Sequence, residues 1–182
     1  MDLEVVDVSE ANFHHLFDWS ATGRGRDLGC KFCLYWEESD GSKWPSSLDE
    51  REGLKRRWFR DVQADFGPCG KLVFLESRLV GYAQFAPARY LPNVAEYACG
   101  PPGDDAIFVS CLFVTEQKKG IGPAVLEAIL SGLRVRGARA VETFAMKDSP
   151  NNPSGPLDFW LRKGFHIVRE DQHFALVRKE LS

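Results

Sequence analysis

The clearest chemistry in this 182-residue chain lies in Cys111-Leu112-Phe113-Val114-Thr115-Glu116-Gln117-Lys118-Lys119-Gly120-Ile121-Gly122-Pro123-Ala124. An apolar run is followed by a short polar turn with two glycines, then by a strongly amphipathic stretch. A helix that starts here leaves its first N–H groups without partners and carries about half a positive charge at that end. Such an end binds an anion through backbone alone. Glycine at 120 and 122 lets a bulky diphosphate approach the main chain, because no Cβ intervenes. Pro123 suits the first helical turn, where its missing N–H does least harm. Lys118 and Lys119 add positive charge at the mouth. The pattern is neither a nucleoside-triphosphate loop, which ends in Gly-Lys-Ser/Thr, nor a dinucleotide fingerprint, because Val125 stands where the third glycine would be.

The elements that must hold this turn are legible around it. Ala106–Val114 is almost wholly apolar, as expected of a strand buried on both faces. After the turn, Ile121, Val125, Ile129 and Leu133 form one i+4 row beside Leu126 and Leu130, and Gly137 closes the helix. Leu3 to Val8 reads as a strand, and Ser9 as the cap of a helix over Glu10 to Phe17. Ser47 with Glu50 resembles a capping box for a helix carrying Leu54, Trp58, Phe59, Val62 and Phe66, ended by Gly67-Pro68. The basic run Lys55-Arg56-Arg57 with Arg60 is expected on that helix's solvated face. Lys71–Glu76 and Leu79–Phe85 read as a hairpin, Ala140–Ala145 as a strand, Gly155-Pro156 as the start of a short helix, and Phe165–Arg169 with His173–Arg178 as a second hairpin. The order β-α-α-β-β-β-α-β-α-β-β predicts an α/β domain (α+β by some schemes) over residues 1–182, with helices on both faces of a mixed sheet.

Bulk properties narrow the function. A net charge of −3 argues against a general nucleic-acid binder, and no apolar run approaches a membrane span. The acidic start, Met1-Asp2-Leu3-Glu4, differs from a secretory signal, so a cytoplasmic location and no membrane partner are expected. Five cysteines without an export signal are expected to be reduced. Cys30-Lys31-Phe32-Cys33 has metal-ligand spacing but lacks a second pair, so no metal is expected; a zinc or redox role for Cys30 and Cys33 is the alternative.

The segment Gln117-Lys118-Lys119-Gly120-Ile121-Gly122 resembles the Gln/Arg-x-x-Gly-x-Gly/Ala signature of the GNAT acetyltransferases. Gly81-Tyr82-Ala83-Gln84-Phe85 is similar to that family's third strand, and Phe159-Trp160-Leu161-Arg162-Lys163-Gly164-Phe165 to its late helix and the Gly-Phe that opens the sixth strand. The resemblance covers most of the chain and implies a splayed, mostly antiparallel sheet of about seven strands. It implies acetyl-CoA as cosubstrate and transfer of the acetyl group to a small-molecule or peptide amine, as monomer or homodimer. Cofactor contacts are then expected from Leu112, Phe113, Val114, Gln117, Lys118, Lys119, Gly120, Ile121, Gly122, Ala124 and Asn152. A backbone N–H around Leu112 or Phe113 would face the thioester carbonyl. Glu37, Asp104, Asp105 and Glu116 are candidate bases, with Glu37 preferred because it lies in the aromatic stretch that holds Trp19, Phe32, Tyr35, Trp36 and Trp44. These rings are read either as an acceptor pocket or as core. The family often keeps a tyrosine acid where this chain has Trp160, which leaves Ser154 or water to serve the leaving thiolate. That departure supports the alternative of a non-catalytic acyl-CoA sensor.

Overall fold

The computed structural model describes residues 2–19, 29–116, 119–148 and 155–181, with only the backbone of residues 29 and 30. Its strands are β1 Leu3–Asp7, β2 Gly70–Leu75, β3 Arg78–Pro87, β4 Ala106–Val114, β5 Ala140–Met146, β6 His166–Glu170 and β7 Phe174–Glu180. Its helices are α1 His14–Asp18, α2 Leu48–Phe66, α3 Ile121–Val135 and α4 Leu157–Arg162. The strands form one sheet in the order β1-β2-β3-β4-β5-β7-β6. Every neighbouring pair is antiparallel except β4–β5, which is parallel. This is the mixed α/β sheet expected from the order of elements.

Two apolar layers cover the sheet. On one face, Ile121, Val125, Ile129 and Leu133 of α3 and Trp160 of α4 pack on Val73, Ala83, Phe85, Val109, Val141 and Val177. On the other, α1, α2 and the segment around Trp36 pack on Leu72, Tyr82, Ala86, Phe108, Phe144 and Leu176. Strand alternation sends neighbouring residues to opposite layers, so near-continuous apolar strands are needed.

Two local expectations change. The first helix begins at His14 rather than Glu10. The Ser9 carbonyl accepts from the Asn12 and Phe13 N–H groups, and Asn12 Oδ1 accepts from Ser9 N, so Ser9 is spent in a turn. In α2, Lys55 faces inward at 2% exposure. It shares one face with Phe59 and Val62 at i, i+4, i+7, whereas the expected stripe was centred on Leu54 and Trp58. The Ser47 cap is present, its hydroxyl accepting from Glu50 N at 3.4 Å.

The functional consequence of the topology lies between β4 and β5. They pair only at Ala106–Ala140, Ile107–Val141 and Phe108–Glu142. β4 follows β3 along its whole length, while β5 stays with β7 over all its residues. Ser110 is an extra residue in β4: Gln84 pairs with Cys111 and Phe85 with Val109. Such a bulge bends a strand and shifts the phase of its side chains. Thr143 Oγ1 donates to the Val109 carbonyl at 2.8 Å in a fully buried position just past the last β4–β5 pair. Replacing Thr143 by Val removes that donor where water cannot substitute. The expected loss is about 1–2 kcal/mol in urea unfolding; an unchanged midpoint and slope would show that Thr143 does not hold the fork.

Candidate functional site at the open end of the sheet

Beyond Phe108 the β5-facing edge of β4 has no strand beside it among the described residues. Cys111, Leu112, Phe113 and Val114 are only half-buried, in contrast to the buried run before them. Thr115 N donates to the Val80 carbonyl of β3 at 2.8 Å. Backbone groups alternate sides along a strand, so Phe113 also points to β3, while the N–H and C=O of Leu112 and Val114 point into the gap. Past the short β4–β5 ladder, these backbone donors and acceptors have no strand partner among the described residues, and they line a wedge between the two strands.

The wedge ends at the start of α3. Gly120 is the cap residue at φ +75° and has no side chain with which to cap the helix. A Cβ built on Gly120 meets nothing within 4 Å, so the space outside the turn is open. Gly122 looks toward Phe159 and Leu112, at 3.8 and 3.9 Å from its hypothetical Cβ. Phe159 therefore flanks the wedge, while its neighbour Trp160 is fully buried in the α3-side core against Phe159 and Phe165. Ile121 is buried, and Ala124 donates its N–H back to the Gly120 carbonyl. Lys119 Nζ sits 2.5 Å from Glu116, which also pairs with Arg78 at 3.0 Å. Lys119 and then Arg78 hold the Glu116 carboxyl below its ordinary range. Gln117, Lys118, Asn152 and Ser154 lie outside the described residues.

The opposite layer carries a buried polar group that the sequence reading placed in solvent. Lys55 Nζ contacts Glu37 Oε1 at 2.6 Å and the Cys33 carbonyl at 2.8 Å. The two side chains are 3% and 5% exposed. Burial disfavours the lysine charge, but the Glu37 carboxylate outweighs it, and the Lys55 pKa is raised. Tyr82 donates to Gln84 Oε1 at 2.5 Å, also in the interior, and Gln84 Nε2 has no partner among the described residues. The helical phase shared with Phe59 and Val62 is the signal that could have placed Lys55 inward.

Four aromatic rings roof the fork on this side. Phe108 of β4 and Phe144 of β5 lie 4.9 Å apart; Tyr97 stacks on Phe144 at 4.2 Å, and Trp36 stacks on Tyr97 and touches Phe108. Next to them opens a cleft of about 540 Å³, lined by Tyr35, Glu96, Tyr97, Asp171, His173 and Phe174, among others. In the aromatic stretch Trp36 and Trp19 are core, while Tyr35 lines this cavity. Tyr97 and Glu96, in the Pro/Gly-rich connection before β4, were not anticipated.

Asp104 and Asp105 stand at the other end of β4, where Asp105 pairs with Arg178 at 2.9 Å. Among the described residues, no group of three or more His, Cys, Asp or Glu could hold a metal, and no helix is long and apolar enough to cross a membrane. Cys33 is a half-buried free thiol; the Cys30 side chain lies outside the described residues. Burial pushes the Cys69 thiol up to about 12 and Cys99 up to about 11, so both stay protonated near neutral pH.

No family model matches this sequence, and no curated protein matches it. Solved structures do. The PaiA N-acetyltransferase of Thermoplasma acidophilum, solved with coenzyme A, is 13% identical over 99% of both chains, with a TM-score of 0.61. An N-acetyltransferase of Staphylococcus aureus is 14% identical over 100% of both chains, at 0.59. Naa50 of Arabidopsis thaliana, in complex with a CoA-containing bisubstrate analogue, is 12% identical over 98% of this chain and 99% of its own, at 0.55. At these identities the likeness is one of fold: the chain has the GNAT acetyltransferase fold.

The Lys55–Glu37 pair makes a direct prediction. Lys55→Met strands a carboxylate in the interior and is expected to cost about 3–5 kcal/mol in urea unfolding at neutral pH, much of it recovered by adding Glu37→Gln. Because the folded-state pKa of Lys55 is raised, its stabilisation is fully present below the ordinary value of 10.5 and is lost as pH rises through the folded value. A Lys55→Met variant as stable as the wild type would remove the pair from the account.

Proposed function

We propose that this chain is an acyl-CoA-dependent N-acyltransferase that moves an acetyl group from acetyl-CoA to a primary amine by direct attack. The observation that carries the reading is the glycine start of α3, with Gly120 opening onto free space, at the mouth of a wedge lined by β4 backbone that has no strand partner among the described residues. Those features fit an elongated diphosphate ligand. The N–H groups of Gly120, Ile121 and Gly122 would hold the diphosphate, helped by Lys119 and, as the sequence motif implies, Gln117 and Lys118. Leu112, Val114 and Ala124 would border the arm that follows, with Phe113 behind them and Phe159 on the far wall. Asn152 is kept as a further contact. Coenzyme A in one solved structure of the same fold and a CoA-containing bisubstrate analogue in another support the assignment.

When bound, acetyl-CoA supplies an activated acyl group; the chain's residues supply position and charge. The Leu112 N–H, aimed into the gap, is the donor for a developing oxyanion, a role typically worth about 3–4 kcal/mol. The amine must arrive neutral. Glu37 was the preferred base, but its Oε1 is held by Lys55 at 2.6 Å. That oxygen is already engaged in the interior, and the pair reads better as the anchor of the Tyr35–Trp36 wall. Proton loss to solvent water then suffices, and activity is expected to rise with pH as the amine deprotonates. Trp160 is buried and is no acid, so the thiolate leaves unassisted or through Ser154; thiols with pKa about 8.5 allow this. The same absence sustains the second reading, a sensor that binds acyl-CoA without turnover.

Acetyl-CoA at about 100 times its Kd is expected to add about 2.7 kcal/mol of stability in thermal unfolding. Gly120→Val, β-branched at positive φ and projecting into the anion's space, is expected to abolish that gain while the fold survives. No stabilisation of the wild type would refute the reading; stabilisation with no amine-dependent release of coenzyme A would favour the sensor.

A further inference from the structure

Cys111 marks the point where β4 stops being buried. It follows the Ser110 bulge and pairs directly with Gln84 of β3, while Phe113 pairs with Tyr82. Residues paired in this way share a face, with Cβ atoms about 5 Å apart. Cys111, Phe113 and Tyr82 all pack on the α2 side of the sheet. Gln84 is 0% exposed. Its Oε1 accepts from the Tyr82 hydroxyl, and its Nε2 has no partner among the described residues. Lys55 enters the same space. Its Nζ lies 5.9 Å from the centre of the Tyr82 ring and contacts Glu37 and the Cys33 carbonyl. Burial opposes the Lys55 charge, Glu37 restores it, and Cys111 and then Cys33 add to it, so the ammonium and the Cys111 sulfur are in electrostatic reach of each other.

A thiol, an amide N–H open to a partner and a cation therefore stand side by side. A thiol is nucleophilic as its thiolate, and an ammonium nearby favours that form. A buried amide donor left without a partner costs about 1–3 kcal/mol. A carbonyl oxygen carried on the Cys111 sulfur would remove that cost, because it brings an acceptor to the cross-strand neighbour of Gln84. The Leu112 N–H, assigned above to the thioester oxygen, is joined to the same residue, since the Leu112 nitrogen is bonded to the Cys111 carbonyl carbon. A thioester held by that N–H lies beside the Cys111 side chain. The other described thiols are placed differently: Cys69 and Cys99 are buried and stay protonated near neutral pH, and Cys33 lies in the segment before α2.

Resting on the transfer reading above, we infer that Cys111 is itself an acyl acceptor: with acetyl-CoA in the wedge and no amine bound, its sulfur takes the acetyl group and holds it as an S-acetyl thioester against Gln84. The Cys111 thiol gives its proton to water, and its sulfur bonds to the acetyl carbonyl carbon as the carbon–sulfur bond to coenzyme A breaks. Coenzyme A leaves as thiolate and takes up a proton from water. Nothing is oxidised or reduced. One thioester replaces another, so the exchange is close to balanced and runs backward when coenzyme A is in excess. The occupancy of Cys111 then follows the ratio of acetyl-CoA to coenzyme A. The chain thereby carries a covalent record of that ratio, whichever amine it serves.

The test incubates the full chain with acetyl-CoA in the absence of amine and follows the label by intact-mass spectrometry and peptide mapping. One acetyl group is expected on Cys111, labile to neutral hydroxylamine as a thioester is, and lost when excess coenzyme A is added. Cys111→Ser is expected to abolish the hydroxylamine-labile label, and Cys33→Ser to keep it. Gln84→Leu takes away the amide N–H and is expected to slow labelling about tenfold, the loss of a donor to the carbonyl oxygen. A label on Cys33 or on a lysine in place of Cys111, a label that survives excess coenzyme A, or a rate untouched by Gln84→Leu would overturn the inference. Calorimetry of acetyl-CoA against the wild type separates the two readings. Binding without a label on Cys111 overturns the self-acylation alone, whereas no binding removes the transfer reading and the self-acylation together.

Discussion

The open wedge of this fold follows from the early end of one strand pairing. β4 and β5 are the single parallel neighbours in the sheet, and they stay together for three residue pairs. Past that point each strand keeps faith with its other neighbour, β3 or β7. The bulge at Ser110 turns β4 away and the Thr143 hydroxyl closes the crotch of the fork. The usual penalty for a sheet interior with unpaired N–H and C=O groups is severe. Here those groups lie beside a half-open wedge, where solvent or a ligand can satisfy them. A polar, ligand-shaped slot is thereby placed inside an otherwise apolar sheet.

The two layers then divide the work. The α3 layer is dry and close-packed, and it fixes the helix whose first turn meets the wedge. Gly120 can sit at positive φ there because nothing demands a side chain. The α2 layer is less uniform. Within its aromatic cluster it buries a lysine, a glutamate, a glutamine and a tyrosine close to the fork. A buried ion pair is a poor source of net stability compared with apolar packing. Its benefit here is geometric: Lys55 binds Glu37 and the Cys33 carbonyl at once, tying the segment that carries Tyr35 and Trp36 to α2. The cleft wall is held by a cation that has no other outlet.

Much of this was legible in the sequence, for physical reasons that differ by element. The α3 rows were unambiguous because Ile121, Val125, Ile129 and Leu133 repeat at the helical period and all are buried. The glycine turn was legible because Gly120 and Gly122 stand where an apolar run gives way to a helical repeat, and Gly120 takes the positive φ that such a turn needs. The whole order of strands followed from apolar runs between turn residues. Lys55 was misplaced because a basic run ordinarily marks a wet face, and only the partner Glu37, eighteen residues earlier in the chain, reverses that. Tyr97 and Glu96 were hidden for another reason. They sit in an aperiodic connection, where position is set by tertiary stacking on Phe144 and not by any local repeat. The early end of the β4–β5 ladder left no mark on the composition of either strand; it was expected only through the family resemblance.

The most direct test of this account is amide chemical-shift mapping of the isotope-labelled protein during titration with coenzyme A. The account predicts that the largest changes fall on Gly120, Ile121 and Gly122 and on Leu112 and Val114, all saturating with one binding curve, while the edge strand β1 is unmoved. Saturable changes confined to another part of the molecule, with the Gly120–Gly122 amides silent, would contradict it.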